Sequence, residues 1–303
     1  FLNAADPTGI NPNAIYNSEM GTHTSISGIS YDSTASDGSK YSAIGPAGTA
    51  YGQTAANRPI TYVSWFDAAR FANWMTNGQG GPGTTETGAY NLLTADPGVA
   101  PAKTPGAAFS IPTANEWYKA AYFSPNYGGP GLEGYYKYAT QSDAGPGNII
   151  GSGNNQVNYH AVVWSVTQQG GDVVPNQNYL TDVGAFTNST SYYGTFDQSG
   201  NVDQWNDLDG AAGTVRGFRG GYWYSGLADF VSSSGSNSRD PFYEHDGLGF
   251  RLVSVPEIDP IHFGPALALV LGSLGLRAPG SSISGRSLNR SISTILMLLE
   301  IRR

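Results

Sequence analysis

The chain has no cysteine. That absence excludes disulfides, thiolate nucleophiles, Cys-ligated zinc and iron–sulfur clusters together. It leaves the compartment open, because an exported protein need not carry disulfides. Charge is scarce as well: 13% of the 303 residues are Asp, Glu, Lys or Arg, against about 25% in ordinary domains. Residues 1–276 hold 22 acids and 10 bases, whereas 277–303 hold five Arg and one Glu. An acidic body repels phosphates, whose binding depends on Lys and Arg, so no nucleic-acid partner is expected. Long apolar runs are missing. Ile261–Leu276 is 16 residues without a formal charge, short of the ~20 that span a bilayer. The start, FLNAADPTG, has neither Met nor a basic, apolar leader, which predicts a mature or truncated beginning.

What is present points to a folded chain rich in loops. There are 41 Gly and 18 Pro, about a fifth of the residues and well above ordinary usage. The 19 Tyr, 12 Phe and 6 Trp argue against disorder, since disordered chains are poor in aromatics. Residues 1–59 are polar, rich in Gly, Ser and Thr, and read as loops and short strands. Ser64-Trp65-Phe66-Asp67 reads as a helix cap leading into Ala68–Met75, and Thr113-Ala114-Asn115-Glu116 as a second capping box. Trp117, Ala120 and Ala121 share a face of that second helix. Short β-like runs are expected at Gly134–Ala139 and His160–Val166, and Val253 and Val255 are placed to close a last strand before Pro256. Two helices among long glycine-rich loops predict an α+β domain with much irregular backbone.

Five segments follow one another in order. They are Pro59–Ala69 (PITYVSWFDAA), Ile111–Trp117 (IPTANEW), Asp197–Trp205 (DQSGNVDQW), Arg219-Gly220-Gly221-Tyr222-Trp223 and Gly249-Phe250-Arg251. Together they resemble the sulfatase-modifying factor family, the formylglycine-generating enzyme domain. The resemblance covers roughly residues 1–254 and implies one α+β domain related to C-type lectin-like folds. The family's usual opening, of the type E-V-T-N-x-x-Y, is missing, which suggests N-terminal truncation.

The resemblance carries chemistry onto particular residues. Oxidase members hold copper with two Cys; the corresponding positions here are Ser225 and Phe230. Neither offers a soft thiolate for Cu(I), so copper and the oxidase reaction are not expected. The family's Ca²⁺ loop maps onto Asp197, the carbonyls of Gly200 and Val202, and Gln204. A second Ca²⁺ site maps onto Asn158, the Tyr159 carbonyl, Asp172 and the Val174 carbonyl. Oxygen-only ligands of this kind suit Ca²⁺, and for both loops plain structural turns are the alternative.

Other patterns carry less. Gly129-Pro130-Gly131-Leu132-Glu133-Gly134 spells G-x-G-x-x-G without the strand and helix a dinucleotide site requires. The histidines at 23, 160, 245 and 262 are scattered, and Asp207-Leu208-Asp209-Gly210 is too short for an EF-hand loop. Tyr222, Trp223 and Tyr224 are either core or the wall of a cleft, with Trp223 assigned to core.

Val255-Pro256-Glu257, the apolar run and Arg277 resemble the PEP-CTERM sorting signal of exported bacterial proteins. Ile258 stands in place of its second Pro, and 26 residues follow the Arg, a tail of the kind a frameshift leaves. The alternative is a short buried helix. The chain thus divides into a domain at 1–254, a sorting segment at 255–277 and a low-complexity tail at 278–303. The expectation is an exported, secreted or envelope-associated domain stabilised by Ca²⁺ that binds a polypeptide or glycan ligand. Transient membrane association through 261–276 is also expected. The alternative is an enzyme: a formylglycine-generating oxidase, or another activity in the same cleft.

Overall fold

The computed structural model describes residues 1–44 and 55–254. Its elements run α1 (Leu2–Ala5), α2 (Glu19–Thr22), β1 (Ile29–Tyr31), β2 (Tyr41–Ala43), α3 (Trp65–Thr76), β3 (Phe109–Ser110), α4 (Ala114–Tyr122), β4 (Phe123–Ser124) and β5 (Gly134–Tyr135). After a long irregular stretch come β6 (Asp203–Asn206), β7 (Arg216–Arg219), β8 (Ser236–Arg239), β9 (Leu248–Gly249) and β10 (Val253–Ser254). Four of these strands form one sheet in the order β8-β7-β6-β9, antiparallel except for the parallel β6/β9 pair. The other pairs are two-stranded: β1/β2, β4/β5 and β3/β10. This is an α+β fold with much irregular backbone, as the sequence predicts.

Both long helices start where the sequence places their caps. Ser64 Oγ accepts from Asp67 N at 3.1 Å while the Asp67 carboxylate accepts from Ser64 N at 3.0 Å. Thr113 and Glu116 make the same reciprocal pair at the start of α4. Each box satisfies backbone donors that a helix start otherwise leaves open. The buried face of α3 meets the sheet through Trp65, Ala68, Ala69 and Ala72, packed with Trp205, Phe218 and Leu248.

One buried ion pair sits beneath that core. Arg216 on β7 and Asp207, just past β6, are 2.8 Å apart and almost wholly buried. The guanidinium also donates to the carbonyls of Ala100, Pro101 and Ala211 and lies 4.7 Å from the Trp65 ring centroid. Tyr90 Oη donates to the other Asp207 oxygen at 3.0 Å. A charge this far from water is tolerable because it is paired and hydrogen-bonded on several sides.

Some expectations change. His160–Val166 is not a strand: Trp164 N donates to Gln169 O and Asn148 Nδ2 to Val163 O, closing a loop. Trp164, Ser165 and Val166 are buried in succession, so the alternation of a one-sided strand is absent. Gly134–Ala139 contributes the two residues of β5 and an isolated bridge from Tyr138 to Ser142. Residues 1–44 also contain two one-turn helices, α1 and α2. Val253 lies in the last strand, opposite Ser110; Val255 and the segments at 255–277 and 278–303 lie outside the described residues. Among the described residues no helix is long and apolar enough to cross a membrane.

Removing one partner of the buried pair strands the other. Arg216→Ala is expected to cost about 3–5 kcal/mol in urea denaturation. The double variant Arg216→Met/Asp207→Leu is expected to cost less than the sum of the two single changes.

Candidate functional site

Ser225 and Phe230, onto which the sequence resemblance maps copper cysteines, lie on one cleft. A cavity of about 290 Å³ is lined by Ser225 and Phe230 together with Asp203, Phe218, Gly221, Tyr222, Tyr224 and Asn237. Gly221 explains the motif's second glycine. Its φ is +69°, and a Cβ there would stand 2.7 Å from both Phe230 O and Val231 Cγ1, so any side chain would force the cleft wall outward. Ser225 is 4% exposed, and its Oγ accepts from Tyr222 N at 3.0 Å. Phe230 and Tyr224 stand at the rim, 55% and 49% exposed. Trp223 turns the other way and is buried against Tyr179 and Trp164, the core position expected of it.

Asp203 begins β6 beside the cleft. One carboxylate oxygen accepts from Gly221 N at 2.8 Å. Burial pushes its pKa up to about 7, opposed by that bond and by His245. His245 Nδ1 lies 2.9 Å from Asp246 Oδ1, and this partner holds the imidazole above its ordinary pKa. His23 Nε2 approaches the other Asp246 oxygen at 3.9 Å. Thus two of the scattered histidines meet at one carboxylate, while His160 stacks on Trp164 with centroids 3.8 Å apart. Asp203 and Asp246 did not stand out in the sequence as site residues. The nearest signal was the position of Asp203 inside the Asp197–Trp205 motif.

The loop expected to hold Ca²⁺ is organised around an amide. Gln204 Oε1 accepts from Trp117 Nε1 at 2.9 Å and from Arg251 Nε at 2.5 Å. Both partners can only donate, which fixes that atom as the oxygen. The amide nitrogen therefore faces Asp197 O at 2.6 Å and Val202 O at 3.3 Å, both obligate acceptors. One carboxylate oxygen of Asp197 accepts from Gly184 N, and burial pushes its pKa up to about 6. Gly200 has φ +79°, and a Cβ would sit 2.4 Å from Asn158 O. These residues do not fit a cation at Gln204. Its only side-chain oxygen serves two donors, the Val202 carbonyl is turned to an N–H group, and the Arg251 guanidinium already supplies positive charge.

The second expected set is spread over different surroundings. Asn158 is buried, its Nδ2 donating to Tyr179 O at 2.9 Å and Asn201 Oδ1 at 3.0 Å. Tyr159 is buried, whereas Asp172 and Val174 lie in an exposed loop. Asn158 accordingly lies closer to the first loop than to Asp172 in its bonding. Among the described residues no group of three or more His, Asp or Glu is placed to hold a metal ion.

The description "Sulfatase-modifying factor enzyme 1-like domain" belongs to the family model that matches residues 23–255. Among solved structures, "Treponema denticola variable protein 1" is 23% identical, with a TM-score of 0.47, covering 70% of this chain and 78% of that one. The structure titled CarF is 22% identical with a TM-score of 0.40, covering 65% and 68%. PvdO from Pseudomonas aeruginosa is 17% identical with a TM-score of 0.35, covering 66% and 63%. No curated protein matches the chain.

Replacing Gln204 by Leu removes partners from Trp117, Arg251 and two carbonyls at once. A loss on the order of 3 kcal/mol is expected, measured by urea denaturation, and millimolar Ca²⁺ is not expected to restore it.

Proposed function

This chain belongs to the sulfatase-modifying factor enzyme 1-like family, and from that membership we propose that it is a copper-free binding module whose ligand enters the cleft beside Ser225 and Phe230. One observation carries this reading. The two positions where the family's oxidases need thiolates line the same cavity, and they present a hydroxyl and a phenyl ring. Cu(I) is held by soft sulfur, and the Ser225 oxygen is a hard donor already accepting from Tyr222 N. What the cleft retains is a recess with aromatic walls and a few converging polar groups, the usual makeup of a binding site.

For calcium, of the set Asn158, Tyr159, Asp172 and Val174 the proposal keeps the side chains of Asn158 and Asp172, because the Tyr159 carbonyl accepts from Asn148 Nδ2 and Ser165 Oγ and the Val174 carbonyl from Gln177 N. Bonding through Nδ2 leaves the Asn158 Oδ1 as an available acceptor, and Asp172 is an exposed carboxylate. Export is proposed from the sequence at 255–277 alone, which lies outside the described residues.

Two measurements test this reading. Anaerobic Cu(I) titration is expected to show no stoichiometric high-affinity site, and a Cys-x-Pro-x-Arg peptide incubated with protein, copper and oxygen is expected to keep its thiol. Mass spectrometry showing an aldehyde in the peptide would overturn the copper-free reading. Calcium is expected to raise the melting temperature, because a ligand of the folded state stabilises by mass action, about 2.7 kcal/mol at a hundredfold excess over Kd. Asp172→Ala should abolish that increment, and Gln204→Leu should leave it in place.

A further inference from the structure

The cleft holds a carboxylate without a Lys or Arg partner. Asp203 lines it, and among the described residues no Lys or Arg comes within ion-pair distance of this carboxylate. One Asp203 oxygen accepts from Gly221 N; the other accepts no bond among the described residues. Arg219 on the neighbouring β7 is committed elsewhere, its guanidinium 5.1 Å from the Tyr118 centroid and 5.8 Å from that of Trp117. Around the carboxylate stand Tyr222, Tyr224 and Phe230, two of them half-exposed at the rim. Aromatic faces attract cations through their quadrupoles, and a carboxylate in a partly dry recess adds a charge-assisted hydrogen bond.

Resting on the reading of this recess as a binding site, we propose that it receives a cationic group, an alkylammonium or guanidinium, which bonds Asp203 and lies between Tyr224 and Phe230. Size agrees with this: about 290 Å³ admits a side-chain-sized group and not a folded surface. An anionic occupant would be repelled by Asp203, and a neutral one would forgo the charge-assisted bond and the cation–aromatic contacts.

The test uses the full chain and ¹H–¹⁵N NMR, with the Gly221 amide as reporter because it bonds Asp203 directly. The probes are N-acetyl-lysine methylamide and N-acetyl-norleucine methylamide, which keeps the four side-chain carbons and lacks the ammonium. The lysine compound is expected to shift Gly221 saturably and at least tenfold more tightly than the norleucine compound. Asp203→Asn should remove that preference. Should this variant fail to fold, Tyr224→Ala at the exposed rim should weaken the lysine compound severalfold. Equal binding of the two probes, no shift of Gly221 up to about 10 mM, or an affinity that ignores Tyr224→Ala would overturn the proposal. None of these outcomes bears on copper uptake or aldehyde formation, whose appearance would instead overturn the copper-free reading.

Discussion

The amide of Gln204 is the junction on which the rest of the structure depends. Its oxygen takes donors from Trp117 and Arg251, and its nitrogen gives to the carbonyls of Asp197 and Val202. Four buried partners with fixed polarity leave one orientation for the side chain. Each group satisfied here would cost free energy if orphaned in so dry a place. Few strands and short helices mean few ladder bonds, so side-chain junctions of this kind carry the tertiary order.

The five sequence motifs converge on the strand that Gln204 occupies. Trp117 arrives from the Ile111–Trp117 segment and Arg251 from Gly249-Phe250-Arg251. Arg219 pairs opposite Gln204 across the sheet and lays its guanidinium over the rings of Trp117 and Tyr118. The first motif joins through Trp205, whose Nε1 donates to Val63 O at 2.8 Å. With β6 held from all sides, Asp203 at its start and Gly221 past the end of β7 are fixed 2.8 Å apart. Both residues line the cleft. Scaffold and site are therefore the same set of residues seen from two sides: donors and acceptors face inward at Gln204, and the preceding residue, Asp203, faces the recess.

Much of this was legible in the sequence where the physics is local. The capping boxes at Ser64 and Thr113 involve residues three apart, and both helices begin there. The burial of Trp205 and Trp223 follows from their size within dense motifs. The separation of the copper positions from any thiolate needs only the absence of cysteine. Reading failed where the deciding partner is distant. Gln204 looks like a serviceable oxygen ligand until Trp117, 87 residues away, and Arg251, 47 residues away, claim that oxygen. His160–Val166 has strand-like composition, but Trp164 is drawn into the aromatic cluster of Tyr179 and Trp223, and no strand forms. Asp203 was invisible because its importance lies in what does not pair with it, and no local pattern encodes that.

The side-chain amide protons of Gln204 report the central claim most directly. In ¹⁵N-labelled protein treated with EDTA they should appear as a slowly exchanging pair, shifted from the random-coil position by bonds to Asp197 O and Val202 O. The same pair should persist unmoved when Ca²⁺ is added in millimolar excess. Rapid exchange of these protons with solvent, or their displacement on adding Ca²⁺, would contradict an amide lock at this loop and restore a cation to its centre.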